Sequence, residues 1–219
     1  MGKYEAENPG YVMAEKRRIL GVLVSGLGSN LQAILEACAK GGLNASVGVV
    51  ISDRKDAQAL DRARQFKVSE VYLDPKASDS REAYDQRILK ELKRHSVELV
   101  ILAGFMRIVT PVLIQAYRNR IINIHPALLP AFPGLRAQRQ ALVYGVKVSG
   151  CTVHFVDEQV DQGPIILQTA VPVLENDTEE ILSERILAEE HKILVQAIQL
   201  FVEERLELQD RKVVLKELR

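Results

Sequence analysis

The chain has 219 residues, of which 47% are hydrophobic and 26% charged, the usage of a globular protein that can bury its own core. Lys plus Arg and Asp plus Glu both number 29, so no net charge recruits nucleic acid or an anionic membrane. No apolar run is long enough to span a membrane, and residues 1–18 lack the apolar segment of a signal peptide.

The first part of the chain alternates apolar runs with amphipathic segments. Strands are predicted at 19–25, 45–51, 71–73, 98–102 and 121–124, and helices between them at 31–38, 57–67, 80–95 and 111–117. Strands that alternate with helices form a parallel sheet with helices on both faces.

The pattern changes near residue 150. Strands are predicted at 151–156 and 165–173, and the connection between them is too short for a helical crossover, so the pair should be antiparallel. A long helix follows at 178–204. We therefore predict a single α/β domain at 19–205, with a mostly parallel twisted sheet, helices on both faces and an antiparallel C-terminal strand pair. Residues 1–18 are expected to be a flexible extension, and 206–219 a helical extension or tail.

The two cysteines, Cys38 and Cys151, have neither the spacing of a disulfide framework nor that of a metal site. They fit small core residues in a reducing compartment, and we expect a cytoplasmic protein that binds no metal.

A glycine-rich turn at 26–30 joins the first strand to the first helix. Glycines let a backbone approach a ligand closely, and the free N–H groups of a helix N-terminus favour an anion. The turn lacks the full pattern of a dinucleotide site and the lysine of a P-loop, so a single phosphate fits better. An ordinary turn capped by Ser29 or Asn30 remains an equal alternative.

Asn123 and His125 lie at the end of a predicted strand, on the same side of it because strand residues alternate. Pro126 ends the strand there. Open α/β sheets bind their ligands at this edge, although a satisfied core pair is the competing interpretation.

Carboxylates mark two further positions. Asp161 lies in the acidic loop 157–164, and it matters for chemistry only if the fold brings it beside His125. Glu190 interrupts the apolar face of the last helix and needs a partner there, either a basic side chain or a ligand.

Taken together, these segments resemble the glycinamide ribonucleotide formyltransferase family, the folate-dependent enzymes of purine biosynthesis. The matching segments run in family order: Gly-Leu-Gly-Ser-Asn-Leu-Gln-Ala at 26–33, Ser-Arg-Glu-Ala-Tyr-Asp at 80–85, Ala-Gly-Phe-Met-Arg-Ile at 103–108, Asn-Ile-His-Pro at 123–126, Leu-Leu-Pro at 128–130, Val-His-Phe-Val at 153–156 and Asp-Gln-Gly-Pro-Ile-Ile at 161–166.

The resemblance implies a Rossmann-like formyltransferase fold and the transfer of a formyl group from 10-formyltetrahydrofolate to the amine of glycinamide ribonucleotide. It also implies a role for each matching residue. The catalytic residues would be Asn123, His125 and Asp161; the phosphate would lie on Gly28, Ser29 and Asn30; the rest of the ribonucleotide would contact Arg81, Met106 and Glu190; and the folate would contact Arg107, Ile108, Val109, Asp157, Val160 and Asp161.

The chain departs from the family pattern near the substrates. Ala127 and Ala131 replace a common serine and a common basic residue, Arg136 and Gln138 stand where histidines are common, and Leu187 replaces a polar residue. These changes put substrate contacts in doubt and leave the reaction intact.

Several alternatives share the same three catalytic residues. A tRNA formyltransferase is disfavoured by the neutral charge and the absence of room for a tRNA-binding domain. A deformylase and a sugar-amine formyltransferase remain as rivals. A non-catalytic folate- or nucleotide-binding module is a further alternative, which the presence of all three residues disfavours. The expected partners are therefore small molecules only, and the protein should be a monomer or a homodimer.

Overall fold

The structure is a computed structural model that describes residues 17–217. All but the last two residues of the predicted 1–18 extension lie outside this range.

Seven strands form the central sheet in the order β3-β2-β1-β4-β5-β6-β7. The strands are β1 (Arg18–Val24), β2 (Ala45–Ser52), β3 (Ser69–Tyr72), β4 (Leu99–Leu102), β5 (Ile121–His125), β6 (Val148–Phe155) and β7 (Ile165–Pro172). Strands β1 to β5 pair in parallel, whereas β6 is antiparallel to both β5 and β7. The predicted fold class, including the antiparallel C-terminal pair, is confirmed.

The helices are α1 (Ser29–Ala39), α2 (Gln58–Gln65), α3 (Arg81–Arg94), α4 (Pro111–Ala116), α5 (Ala137–Tyr144) and α6 (Glu179–Val202), with a 3-10 turn at Pro75–Ala77. Helix α5 was not expected from the sequence. Its buried residues are only the small Ala137 and Ala141, while Val143 and Tyr144 are exposed, so no large apolar stripe marks it.

Alternate residues of the strands enter two separate cores. Leu20 and Val22 of β1 pack with α1, α2 and α6 on one face of the sheet, whereas Leu23 packs with α3 and α4 on the other. Because both faces are covered, the strands are apolar throughout, as parallel strands usually are. The loops that follow β1, β4 and β5 lie at the carboxyl edge of the sheet, where open α/β sheets bind their ligands.

A two-stranded hairpin follows α6, with β8 at Leu206–Gln209 and β9 at Lys212–Leu215. This differs from the helical extension or tail expected at 206–219. Leu206, Leu208 and Val213 alternate toward the core and pack against it, a period of two that indicates strands. Asp210 makes the tight turn at φ 52°, a conformation that Asp tolerates.

Candidate active site

Strands β5 and β6 bring three polar side chains together at one edge of the sheet. Asn123 and His125 project from the end of β5, and β6 places His154 directly opposite Asn123 in the antiparallel register. The loop after β6 then returns over this edge and adds Asp161. The chain between His125 and Asp161 therefore runs through α5 and β6 before the loop after β6 brings Asp161 back to this edge.

Asp161 contacts both predicted partners. One carboxylate oxygen lies 3.4 Å from Nδ1 of His125, and the other lies 3.5 Å from the amide nitrogen of Asn123. The backbone N–H of Gly134 donates a shorter hydrogen bond to the carboxylate, 2.7 Å long. Asp161 has a left-handed backbone at φ 54°, which only a few residue types tolerate. The carboxylate is therefore held in place from two directions.

His125 is buried, and both of its ring nitrogens face oxygen acceptors. Nδ1 faces the Asp161 carboxylate, while Nε2 lies 2.9 Å from the carbonyl oxygen of Phe132. Nε2 donates to that carbonyl when it carries a proton, because a carbonyl oxygen can only accept. Nδ1 lies within ion-pair distance of the carboxylate, which can stabilise positive charge that develops on the ring.

His154 belongs to the same cluster, and the sequence analysis gave it no role. Its Nδ1 lies 2.8 Å from the carbonyl oxygen of Phe155, and its Nε2 lies 3.1 Å from the amide nitrogen of Asn123. Burial lowers the pKa of His154 below its ordinary value of 6.5. A neutral ring with its proton on Nδ1 satisfies both contacts, because Nε2 then accepts from Asn123. The available signal was that His154 lies three residues before the acidic loop, in one of the matching segments.

Two cavities meet at this edge of the sheet. The larger, of about 480 Å³, is lined by Asn123, His125, His154 and Asp161, and by all six residues predicted to contact folate: Arg107, Ile108, Val109, Asp157, Val160 and Asp161. The smaller, of about 320 Å³, is lined by Asn30, Met106 and Glu190, among others. Ile108 and Val160 are 58% and 47% exposed, so the larger cavity offers apolar surface to a ligand.

The glycine turn lies next to the smaller cavity. Gly28 is the residue before α1, at φ 71°, and an added Cβ would lie 2.7 Å from the Cβ of Ala59. No side chain caps the described N-terminus of α1, so the turn is not capped by Ser29 or Asn30. The first amide groups of the helix are left without helical acceptors.

Asn30 is instead turned toward α6. Its amide nitrogen donates to a carboxylate oxygen of Glu190 at 2.7 Å, and within residues 17–217 its own oxygen is buried without a partner. Burial raises the pKa of Glu190, and the Asn30 hydrogen bond partly opposes that shift. These two side chains therefore form a buried polar pair with hydrogen-bonding capacity left for a ligand.

Arg81 is the predicted site residue that the structure leaves apart from the others. It is the exposed first residue of α3 and lines neither cavity. Gly28 and Ser29 also line neither, although Asn30 next to them does. Across residues 17–217, the structure has no group of three or more His, Cys, Asp or Glu side chains that could hold a metal, and no helix that could cross a membrane.

The arrangement suits polar chemistry at the base of an apolar cleft. It combines an amide donor, a buried imidazole and a carboxylate, which can stabilise negative charge that develops on an oxygen and can move a proton. The free amides of the glycine turn provide a place for an anion nearby.

Comparisons with known proteins agree with this geometry. The formyl transferase family model matches residues 17–198. The phosphoribosylglycinamide formyltransferase of Escherichia coli is 44% identical over 189 residues, which are 86% of this chain and 89% of that protein.

Two solved structures, a transformylase and a deformylase, differ in how similar they are to this chain. Glycinamide ribonucleotide transformylase 1 from Symbiobacterium toebii superposes with a TM-score of 0.93 at 53% identity. The match covers 97% of this chain and 100% of that protein. A formyltetrahydrofolate deformylase from Pseudomonas syringae superposes with a TM-score of 0.86 at 27% identity, over 93% of this chain and 67% of that one. The chain belongs to the formyl transferase family.

Proposed function

We propose that this protein transfers the formyl group of 10-formyltetrahydrofolate to the primary amine of glycinamide ribonucleotide, a step of purine biosynthesis, in the cytoplasm. The observation that carries the proposal is the position of Asn123, His125 and Asp161 in a cavity that adjoins a second one. A donor in the first cavity and an acceptor in the second would meet at the catalytic residues.

The larger cavity fits the folate donor. It combines apolar lining, which can cover a ring system, with Arg107 and Arg136, which can pair with carboxylates. The smaller cavity fits the ribonucleotide, because Glu190 and the free oxygen of Asn30 can accept from hydroxyl groups. Gly28, Ser29 and Asn30 would bind the phosphate through the free amides of α1. Arg81 would reach the ribonucleotide only if its exposed side chain swings toward the site.

The mechanism follows from the hydrogen bonds of the cluster. The amine attacks the formyl carbon and makes a tetrahedral oxyanion, which Asn123 stabilises with the N–H that now makes only a long 3.5 Å contact with Asp161. Neutral His154 holds the other N–H of that amide and so fixes its orientation. His125 adds positive charge, and Asp161 stabilises that charge and can pass the proton from the amine to the folate nitrogen. The amine attacks directly, so no covalent enzyme intermediate is required.

The comparisons favour the transferase over the other members of the family. The chain is 53% identical to a glycinamide ribonucleotide transformylase and 27% identical to a deformylase. The smaller cavity also has a use in the transferase, where it holds the acceptor, whereas hydrolysis needs only water.

The test is an assay of formyl transfer with purified protein. Incubation with the donor and glycinamide ribonucleotide should release deformylated folate only when the ribonucleotide is present. His125→Ala should lower kcat on the order of 100- to 1,000-fold. Release of deformylated folate without the ribonucleotide would identify a deformylase, and transfer only to an amino sugar would identify a sugar-amine enzyme. Ligand binding with no turnover at all would identify a binding module. Size-exclusion chromatography would decide between monomer and homodimer.

A further inference from the structure

The two cavities share a wall. Five of the described residues line both of them: Gly104, Met106, Ile124, Pro126 and Gln138. Four of these have apolar side chains or none, and Gln138 brings the one polar side chain of the set. Any group that passes from one cavity to the other must pass this wall.

Gln138 is the second residue of α5, and its side chain is half-buried. Within residues 17–217 its amide makes no hydrogen bond. Gln140, two residues further along the same helix, differs in this respect, because its amide donates to the carbonyl oxygens of Pro133 and Leu135. An amide that has no protein partner, at a boundary that is otherwise apolar, is available to a ligand.

We infer that Gln138 binds the acceptor amine where the two cavities meet. Its carbonyl oxygen accepts a hydrogen bond from the amine N–H and turns the nitrogen lone pair toward the formyl carbon in the larger cavity. This inference rests on the proposed function and adds to it a residue that contacts the nucleophile.

The role matches the charge changes of the reaction. The amine nitrogen forms a bond to the formyl carbon, the bond from that carbon to the folate nitrogen breaks, the amine loses one proton, and the folate nitrogen gains one. The attacking nitrogen becomes positive before it loses its proton, and an amide oxygen that accepts from it stabilises that charge. A glutamine does this without titrating, so its loss should not change the shape of the pH profile.

The test compares Gln138→Leu with wild-type protein at saturating concentrations of both substrates. Leu has a similar volume and fits the apolar wall, but it cannot accept a hydrogen bond. We expect kcat to fall roughly 3- to 10-fold, the cost of one lost hydrogen bond. The KM for the folate donor should change less than twofold, and the pH profile of kcat should keep its shape.

Three further measurements make the outcome decisive. Gln138→Asn, which shortens the side chain while it keeps the amide, should lower kcat in the same direction. Gln86→Leu replaces an exposed glutamine of α3 and should leave kcat unchanged, and the thermal unfolding midpoint of each variant reports on folding. A Gln138→Leu protein that folds and keeps wild-type kcat would overturn the inference, as would a loss confined to the donor KM. If the wild-type protein itself transfers no formyl group, the proposed function fails instead.

Discussion

At the scale of single residues, the site depends on one carboxylate that the backbone holds in an unusual conformation. Asp161 is left-handed at φ 54° and accepts from the Gly134 N–H while it faces His125. Asn tolerates the same conformation better than most residues do. The charge of Asp161 and its backbone geometry can therefore be separated by mutation.

We expect Asp161→Asn to fold normally and to lower kcat on the order of 100-fold or more, because the site loses the negative charge that faces His125 and the group that can accept the proton of the amine. Asp161→Ala should lower kcat as well. This variant should also be less stable, because a left-handed backbone costs alanine about 1 kcal/mol. Steady-state kinetics and urea denaturation of both variants give the comparison. Equal free energies of unfolding for the two variants would show that the left-handed backbone at residue 161 does not affect stability.

Glu190 illustrates the opposite balance, in which a buried charge lowers stability. Burial raises its pKa, so its ionised form is disfavoured in the folded protein. The unfolded chain ionises this group above about pH 4.5, and the folded protein loses stability as the pH rises from there to the raised folded-state pKa. Glu190→Gln removes the penalty and keeps a hydrogen-bond acceptor for Asn30.

Glu190→Gln should therefore raise the unfolding midpoint at pH 8 by roughly 2–4 °C, and by less at pH 4. The same variant should bind the ribonucleotide more weakly, because a neutral amide accepts less strongly from hydroxyl groups. Calorimetric unfolding at the two pH values and titration with ribonucleotide measure both effects. An unchanged unfolding midpoint at pH 8 would contradict the claim that the buried Glu190 carboxylate lowers the stability of the protein.

At the scale of elements, the segment 104–110 separates the cavities and is tied to the rest of the fold at three points. The Ser25 hydroxyl accepts from the Met106 N–H at 2.8 Å. The guanidinium of Arg107 lies 4.9 Å from the centre of the Tyr84 ring. The buried carboxylate of Asp85 accepts from the Thr110 N–H at 2.6 Å. Tyr84 and Asp85 of α3, together with Ser25, thus hold one wall of the larger cavity.

We predict that Asp85→Ala destabilises the protein by about 1–3 kcal/mol, because the buried Thr110 N–H loses its acceptor. The same loosening should raise the KM for the folate donor more than it lowers kcat, since the segment lines the donor cavity and lies outside the catalytic cluster. Asp85→Asn keeps an acceptor oxygen of the same shape and serves as the control. A loss of stability with no change in donor KM would confine Asp85 to a structural role.

The sequence predicted the parallel sheet because apolar runs and amphipathic segments alternate clearly from β1 to β5. It missed α5, which has only two small buried residues, and it missed the hairpin, because a helical extension or a tail was expected there. At the site, strand alternation and Pro126 marked Asn123 and His125 as candidates, but a satisfied core pair remained the competing interpretation. Asp161 was one loop carboxylate among several, and only the resemblance selected it. His154 was overlooked because a buried histidine within an apolar strand has the pattern of a core residue.

At the scale of the whole molecule, protonation of His154 affects both the stability of the fold and the hydrogen bond that orients Asn123. Its pKa is lowered by burial, so the folded protein resists protonation that the unfolded chain accepts below about pH 6.5. Stability from this residue is complete above that pH and is lost as the pH falls toward the folded-state pKa. A protonated His154 could also no longer accept from Asn123.

The free energy of unfolding should therefore decline as the pH falls below about 6.5, with a slope of up to about 1.4 kcal/mol per pH unit. His154→Gln keeps an acceptor for Asn123 but does not titrate, and its slope over this range should be shallower. Denaturant unfolding of both proteins at intervals from pH 5 to pH 8 gives the two curves. Parallel curves would assign the pH dependence to other groups.

The C-terminal hairpin carries a practical consequence for anyone who shortens or tags this protein. Arg211 at its turn donates a 2.6 Å hydrogen bond to the carbonyl oxygen of Gln162, the residue after Asp161. The hairpin is thus attached directly to the loop that carries Asp161, the carboxylate that we propose is catalytic. A truncation after α6 would remove this attachment. We expect such a protein to keep its central sheet but to bind the folate donor more weakly. Fusion partners and affinity tags at the C-terminus should accordingly be joined through a linker that leaves the turn at Arg211 free.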